Sequence, residues 1–113
     1  VTGLSLRSPA FVGILTASAT VPSAPVLTGS FAYAEDGASY FDFSWTTPAN
    51  GGSAITDYIW QISYNGSDYF SNPVGLVNTF QDSITTGTTG YFRVLATNAI
   101  GNGPVSNVYT AVG

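Results

Sequence analysis

Six acidic side chains carry the acid–base potential of this chain: Glu35, Asp36, Asp42, Asp57, Asp68 and Asp82. Glycoside hydrolysis needs two carboxylates facing each other over a cleft, yet Asp42, Asp57, Asp68 and Asp82 fall at polar or turn positions with no sign of converging. The chain contains no His, Cys or Lys. An imidazole-centred triad, a thiol nucleophile and a Schiff-base amine therefore all lack their key atom. Catalysis is not the expected role, and no cofactor is expected. Glu35-Asp36 is the one adjacent acidic pair, but calcium takes about six to eight oxygens. The pair is read as an acidic turn ahead of Gly37, and no metal is assigned.

Binding groups are easier to find. Tyr40, Tyr64, Tyr91 and Tyr109 are candidate surface rings for stacking on a sugar or for contacting a protein, the latter favoured because aromatics are enriched at interfaces. Scattered tyrosines also suit β-strands through propensity and cross-strand packing alone. Asn50, Gly51, Ile100 and Asn102 sit in two loops, 46–54 and 99–103, whose Gly and Asn content is also what any turn requires. Asn65-Gly66-Ser67 has the form of a glycosylation acceptor, although a hairpin turn accounts for it. Upstream, Leu4, Leu6, Phe11, Val12, Ile14 and Leu15 are too apolar for a solvated tail and show no helical period. They read as an arm that packs on its own sandwich or on a neighbouring subunit, the second being preferred.

These groups must be positioned by a chain of 113 residues, enough for one domain with a core of its own. Without cysteine, stability has to come from packing and backbone pairing. Charged residues make up 7% of the sequence, against about 25% in an ordinary soluble domain. Arg7 and Arg93 are the only cations and the net charge is −4, so nucleic acid is a poor partner. Strand edges with so few charges tend to pair with neighbours, which hints at an assembled context. Arg7, the run Ala10–Leu15 and Ala17-Ser18-Ala19 faintly imitate a secretory leader. The apolar stretch is short and Gly13 interrupts it, so the arm reading is kept. No run reaches the roughly 18 to 20 apolar residues of a membrane-spanning helix, and no membrane insertion is expected.

Val21-Pro22-Ser23-Ala24-Pro25 divides the chain, because its prolines fix φ and force extended neighbours. The organisation expected is an arm over 1–21 and a domain over 22–113. Alternating segments parted by Gly, Pro, Asn and Asp then signal an all-β sandwich. Strand one is Val26-Leu27-Thr28, extending toward Phe31, followed by a turn at Glu35-Asp36-Gly37. In the second strand Phe41, Phe43 and Trp45 face the core, with Asp42 and Ser44 facing water. In the third Tyr58, Trp60 and Ile62 share one face, and Asp57, Ile59, Gln61 and Ser63 the other. Asn65-Gly66 is expected to supply the positive φ values of a tight hairpin turn, returning the chain through Tyr69 and Phe70. Pro73-Val74-Gly75-Leu76 reads as a connection and Thr79–Ile84 as a short strand ending at the 85–89 turn. A strand from Gly90 to Asn98 puts Phe92, Val94 and Ala96 on one face, and a last strand runs near Val105 to Ala111.

In order and spacing, Pro22-Ser23-Ala24-Pro25, Trp45 with Pro48, Asn50-Gly51-Gly52, Ile55, Tyr58, Val94, Ala96, Asn98 and Gly101 resemble a fibronectin type III domain. The resemblance covers about residues 22–113 and implies a seven-stranded antiparallel, immunoglobulin-like sandwich of about 100 residues. It places Trp45 at the centre of the core and loops 46–54 and 99–103 at one end. It also implies a module that holds, spaces or binds things and performs no chemistry. One position departs: the tyrosine of the family's corner motif falls on Gly90, with Tyr91 one step off. A one-residue shift reverses a strand side chain, so either a bulge turns Tyr91 back into the corner or the corner is missing. The family's Arg-Gly-Asp adhesion tripeptide is absent. Together these features point to a structural or adhesive module of a virion, as capsid decoration or tail component, found on the virion or otherwise extracellular. Its arm would dock on protein partners in a capsid, tail or surface lattice, with a host-surface glycan as a further ligand. The rival is a spacer or weak carbohydrate-binding module of a secreted bacterial enzyme acting on polysaccharide.

Overall fold

Period-two alternation of aromatic and polar residues builds this molecule. In the computed structural model, which describes residues 18–113, the chain forms β1 (Leu27–Glu35), β2 (Ala38–Trp45), β3 (Ile55–Ser63), β4 (Tyr69–Gly75), β5 (Thr79–Thr85), β6 (Thr89–Asn98) and β7 (Tyr109–Val112). The arm residues Leu4, Leu6, Phe11, Val12, Ile14 and Leu15 lie outside the described residues. The strands make two antiparallel sheets, one of three in the order β1-β2-β5 and one of four in the order β4-β3-β6-β7. This is the sandwich the resemblance implies.

The core lies between the sheets. Phe41, Phe43 and Trp45 enter it from β2, Tyr58, Trp60 and Ile62 from β3, and Phe92, Val94 and Ala96 from β6. The faces are therefore those read from the sequence. The centre shifts, however, from Trp45 to Trp60, which is 1% exposed against 5% for Trp45. Phe43 joins the sheets, its ring 4.8 Å from Trp60 and 4.7 Å from Phe92. Such pairs add about 0.5–1.5 kcal/mol each beyond area burial. Trp60 Nε1 donates to Asp82 Oδ2 at 2.9 Å, whereas Trp45 Nε1 is buried without a partner among the described residues.

Several boundaries differ from the expectation. β1 runs on to Glu35, with a register shift between Phe31 and Tyr33, and closes on β2 through Asp36 and Gly37, both at positive φ. Pro73, Val74 and Gly75 belong to β4 and are not a connection. Proline is tolerated there because β4 is an edge, where a missing N–H costs no ladder bond. The β3–β4 hairpin exists, but its turn spans 64–68 and only Gly66 has positive φ. Asn65 acts through its side chain: Oδ1 accepts from the backbone N–H of Ser67 and of Asp68, each at 2.8 Å. β7 begins at Tyr109, not near Val105. Ahead of it the ladder is interrupted: Ser106 N donates to Val94 O while Ser106 Oγ accepts from Val94 N, and the Asn107 amide bonds both N and O of Leu27 across the sandwich.

Candidate interaction surfaces

The acids come to separate places, and Asp42, Asp57, Asp68 and Asp82 each have a structural partner. Asp42 accepts from Gln81 Nε2 at 2.7 Å, Asp57 from the backbone of Tyr58 and Gly75, and Asp68 from Asn65 Nδ2. Asp82 points inward from β5 to Trp60 instead of lying at a polar surface position. Among the described residues, no three metal-binding side chains come together.

The loop end of the sandwich is assembled by one side chain. Asn98, the last residue of β6, is buried, and its Nδ2 donates to Thr20 O at 2.9 Å, to Asn50 O at 2.8 Å and to Ser53 O at 3.4 Å. Its Oδ1 accepts from the backbone N–H of Ile100 and Gly101. Three loops are thus tied by an amide that uses both ends, as a buried polar group must. The predicted loops 46–54 and 99–103 do meet here, bringing Asn50, Gly51, Ile100 and Asn102 to one end. Asn50 and Asn102 are exposed, and so is Ile100. Gly51 is less available: at φ +74 it sits against the Thr20 carbonyl oxygen, which would be 2.5 Å from an added Cβ. Thr20 N donates to Gly51 O at 2.9 Å, and Ser23 N to Ala49 O at 3.0 Å. Residues 18–23 therefore run along the loop end of their own sandwich. In the sequence Asn98 stands out only as one member of the fibronectin type III pattern. Its role as the tie is visible only once the three loops converge.

The tyrosines do not form one surface. Tyr64 is 59% exposed at the far end of the sandwich, 6.4 Å ring to ring from Phe70, itself 61% exposed. Tyr40 stacks on Tyr33 at 4.6 Å on the outer face of the three-stranded sheet. Tyr91 is half-buried on the outer face of the other sheet, its ring against Gly66. The pairing of β6 with β3 is regular there, Phe92 facing Ile62 and Tyr91 facing Ser63. No bulge turns the ring, and the tyrosine corner is missing. A side chain at Gly90 would meet Ile84 Cγ2 at 2.8 Å, so Ile84 and Phe92 fill the corner's volume. Tyr109, expected at the surface, packs its ring 5.4 Å from Phe43 and serves the core. Its place inside follows from Gly29 opposite, whose lack of a side chain makes room for both rings.

A second surface feature was not anticipated. On the outer face of the four-stranded sheet the Arg93 guanidinium lies 3.7 Å from the Tyr69 ring centroid, and Arg93 Nε donates to Gln61 Oε1 at 2.6 Å. The three residues come from three strands, and the register of β4, β3 and β6 aligns them.

No protein-family model matches the chain, and a search of curated proteins finds no match. Solved structures do match. The chain is similar to a fourth FNIII domain from human, with a TM-score of 0.69 at 23% identity over 86% of this chain and 82% of that one. It is similar to the sixth fibronectin type III domain from human fibronectin type III domain containing protein 3, with a TM-score of 0.66 at 20% identity over 84% of this chain and 88% of the other. A crystal structure of domains from titin gives a TM-score of 0.68 at 22% identity over 83% of this chain. The chain spans 32% of that titin structure and 17% of a structure of titin kinase with its flanking domains. Sheet order, strand count and these likenesses agree: the chain has the fibronectin type III fold.

Proposed function

We propose that this chain is a non-enzymatic structural or adhesive module of a virion, a capsid decoration or tail component, anchored by its amino-terminal arm and presenting the sandwich outward. One observation carries the arrangement. Thr20 is hydrogen-bonded to both Gly51 and Asn98, so the apolar sequence of residues 1–17 joins the domain at a fixed point on the loop end. The exposed rings of Tyr64 and Phe70 lie at the other end. Attachment at one pole and presentation at the other suits a module bound to a larger particle through protein contacts. The low charge of the whole chain supports the same reading, since uncharged edges favour packing with neighbours.

The test is to compare the full chain with one lacking residues 1–17 by sedimentation velocity. The expected result is that the full chain forms larger assemblies than the shortened one, which remains folded. Two monomers of equal stability would overturn the anchor. A second reading, a spacer or weak sugar-binding module of a secreted enzyme acting on polysaccharide, draws on the multidomain titin structures of which this chain spans only a part. It predicts that residues 1–17 are removed readily by protease with no change in the remainder. The exposed Tyr64 and Phe70 rings would then stack on a glycan.

A further inference from the structure

Two surface groups of this molecule complement each other and cannot meet within one copy. The first is Arg93 on the outer face of the four-stranded sheet. Its plane is fixed by the Tyr69 ring beneath it and by the bond from Nε to Gln61, which is itself held by donation from Nε2 to Ser71 Oγ at 2.9 Å. A guanidinium has five N–H donors, and only the one on Nε is used among the described residues. No described carboxylate pairs with it, and Tyr91 lies in the neighbouring row of the same face. This is an oriented cation on an aromatic floor, with its outer N–H fork open.

The second group is the tip of the β1–β2 hairpin. Glu35 and Asp36 are exposed there and neither carboxylate bonds a described residue, while Asp36 is carried outward on a positive-φ turn. Immediately behind them Tyr33, 43% exposed, stacks on Tyr40 with the ring planes 13° apart. This hairpin belongs to the other sheet, and its aromatic pair is on the opposite outer face. The packed core separates the two groups, since face-to-face sheets stand about 10 Å apart.

We infer that the Glu35-Asp36 hairpin tip of one copy docks on the Arg93–Tyr69–Tyr91 face of a second copy. A carboxylate meets the guanidinium fork in the planar geometry that arginine favours, and the Tyr33–Tyr40 pair lies over the tyrosine floor. An exposed ion pair alone contributes only about 0–1 kcal/mol, so the four tyrosines supply most of the contact and the charges set its register. The contact is head-to-tail: each copy keeps one free tip and one free face, and association propagates instead of stopping at a pair. It deepens the assembly reading above and rests on it, but uses surfaces apart from residues 1–17.

The test uses the full chain in sedimentation runs over a concentration series, with Arg93→Gln and a Glu35→Gln/Asp36→Asn double variant. The wild type is expected to grow beyond two chains as concentration rises. Growth should weaken as salt shortens the Debye length from about 30 Å at 0.01 M to about 8 Å at 0.15 M. Each variant alone should associate up to about fivefold more weakly. An equal mixture of the two should recover part of the association each has lost, because one supplies the intact tip and the other the intact face. A monomeric wild type, or variants that associate as the wild type does, would overturn the contact. The latter result would leave anchoring by residues 1–17 standing. Should Arg93→Gln fail to fold by circular dichroism, the double variant decides alone, since its two positions are exposed.

Discussion

At the loop end a single buried amide, Asn98, holds together segments 45 to 78 residues away in sequence, whereas the 64–68 hairpin at the other end is closed by Asn65 through bonds spanning two or three residues. Both sites use one asparagine with its donor and acceptor engaged. The difference lies in what each asparagine joins. Asn98 joins parts of the chain that meet only after the sandwich has closed, so its bonds are available only to the complete fold. Asn65 organises its own turn, where water can replace most of what it offers. Damage at the loop end should therefore spread, and damage at the turn end should stay local, as sub-global opening behaves in general.

Two matched pairs of substitutions test this contrast. Asn98→Ala should be the most costly, lowering unfolding free energy by about 3 kcal/mol in urea titration, because it removes the one buried side chain that bonds the backbone of three separate segments. Gly51→Ala should follow at about 2 kcal/mol, combining a left-handed φ with a clash against the Thr20 carbonyl. It should also speed hydrogen exchange at the Thr20 amide selectively. Gly87→Ala, at φ +89 with open space around it, carries only the backbone strain and should cost about 1 kcal/mol. Asn65→Ala should cost least, about 0.5–1 kcal/mol, with exchange accelerated only at Ser67 and Asp68. If Asn65→Ala proved as costly as Asn98→Ala, the distinction between the ends would be lost.

Much of the sandwich was legible because half-buried strands write their faces into sequence. Phe41, Phe43 and Trp45 alternate with Asp42 and Ser44, and burial follows that alternation residue by residue. Errors arose where a residue's local preference was overridden by its place in the sheet. Pro73 signals a break until β4 is known to be an edge. Val105–Val108 has strand composition and Ser106 N still donates to Val94 O, but the returning Val94 N–H goes to Ser106 Oγ and the Asn107 amide bonds Leu27, so the regular ladder begins only at Tyr109. Tyr109 looks like a surface ring until Gly29 is seen opposite it. At the tyrosine corner the two alternatives differed by one residue of register, and only the regular pairing of β6 with β3 decides between them. Of the candidate surfaces, the loop end could be expected from the resemblance. The Arg93–Tyr69–Gln61 arrangement could not, since it depends on the mutual register of three strands.

Asn107 gives the molecule a mechanical property. Residue 18 lies at the loop end, while Gly113 is bonded to Gly87 and Thr88 at the turn end, so tension between them runs lengthwise along the strands. Under such a load the ladder bonds of β1 with β2, and of β6 with β7, are sheared together instead of peeled one at a time. The two bonds from the Asn107 side chain to Leu27 fasten the stretch before the last strand to the start of the first. They act as a clasp in parallel with the ladders, and resistance to force is a matter of unfolding rate and not of equilibrium stability. Removing that clasp would shorten the lifetime of the sandwich under tension more than its loss of equilibrium stability suggests.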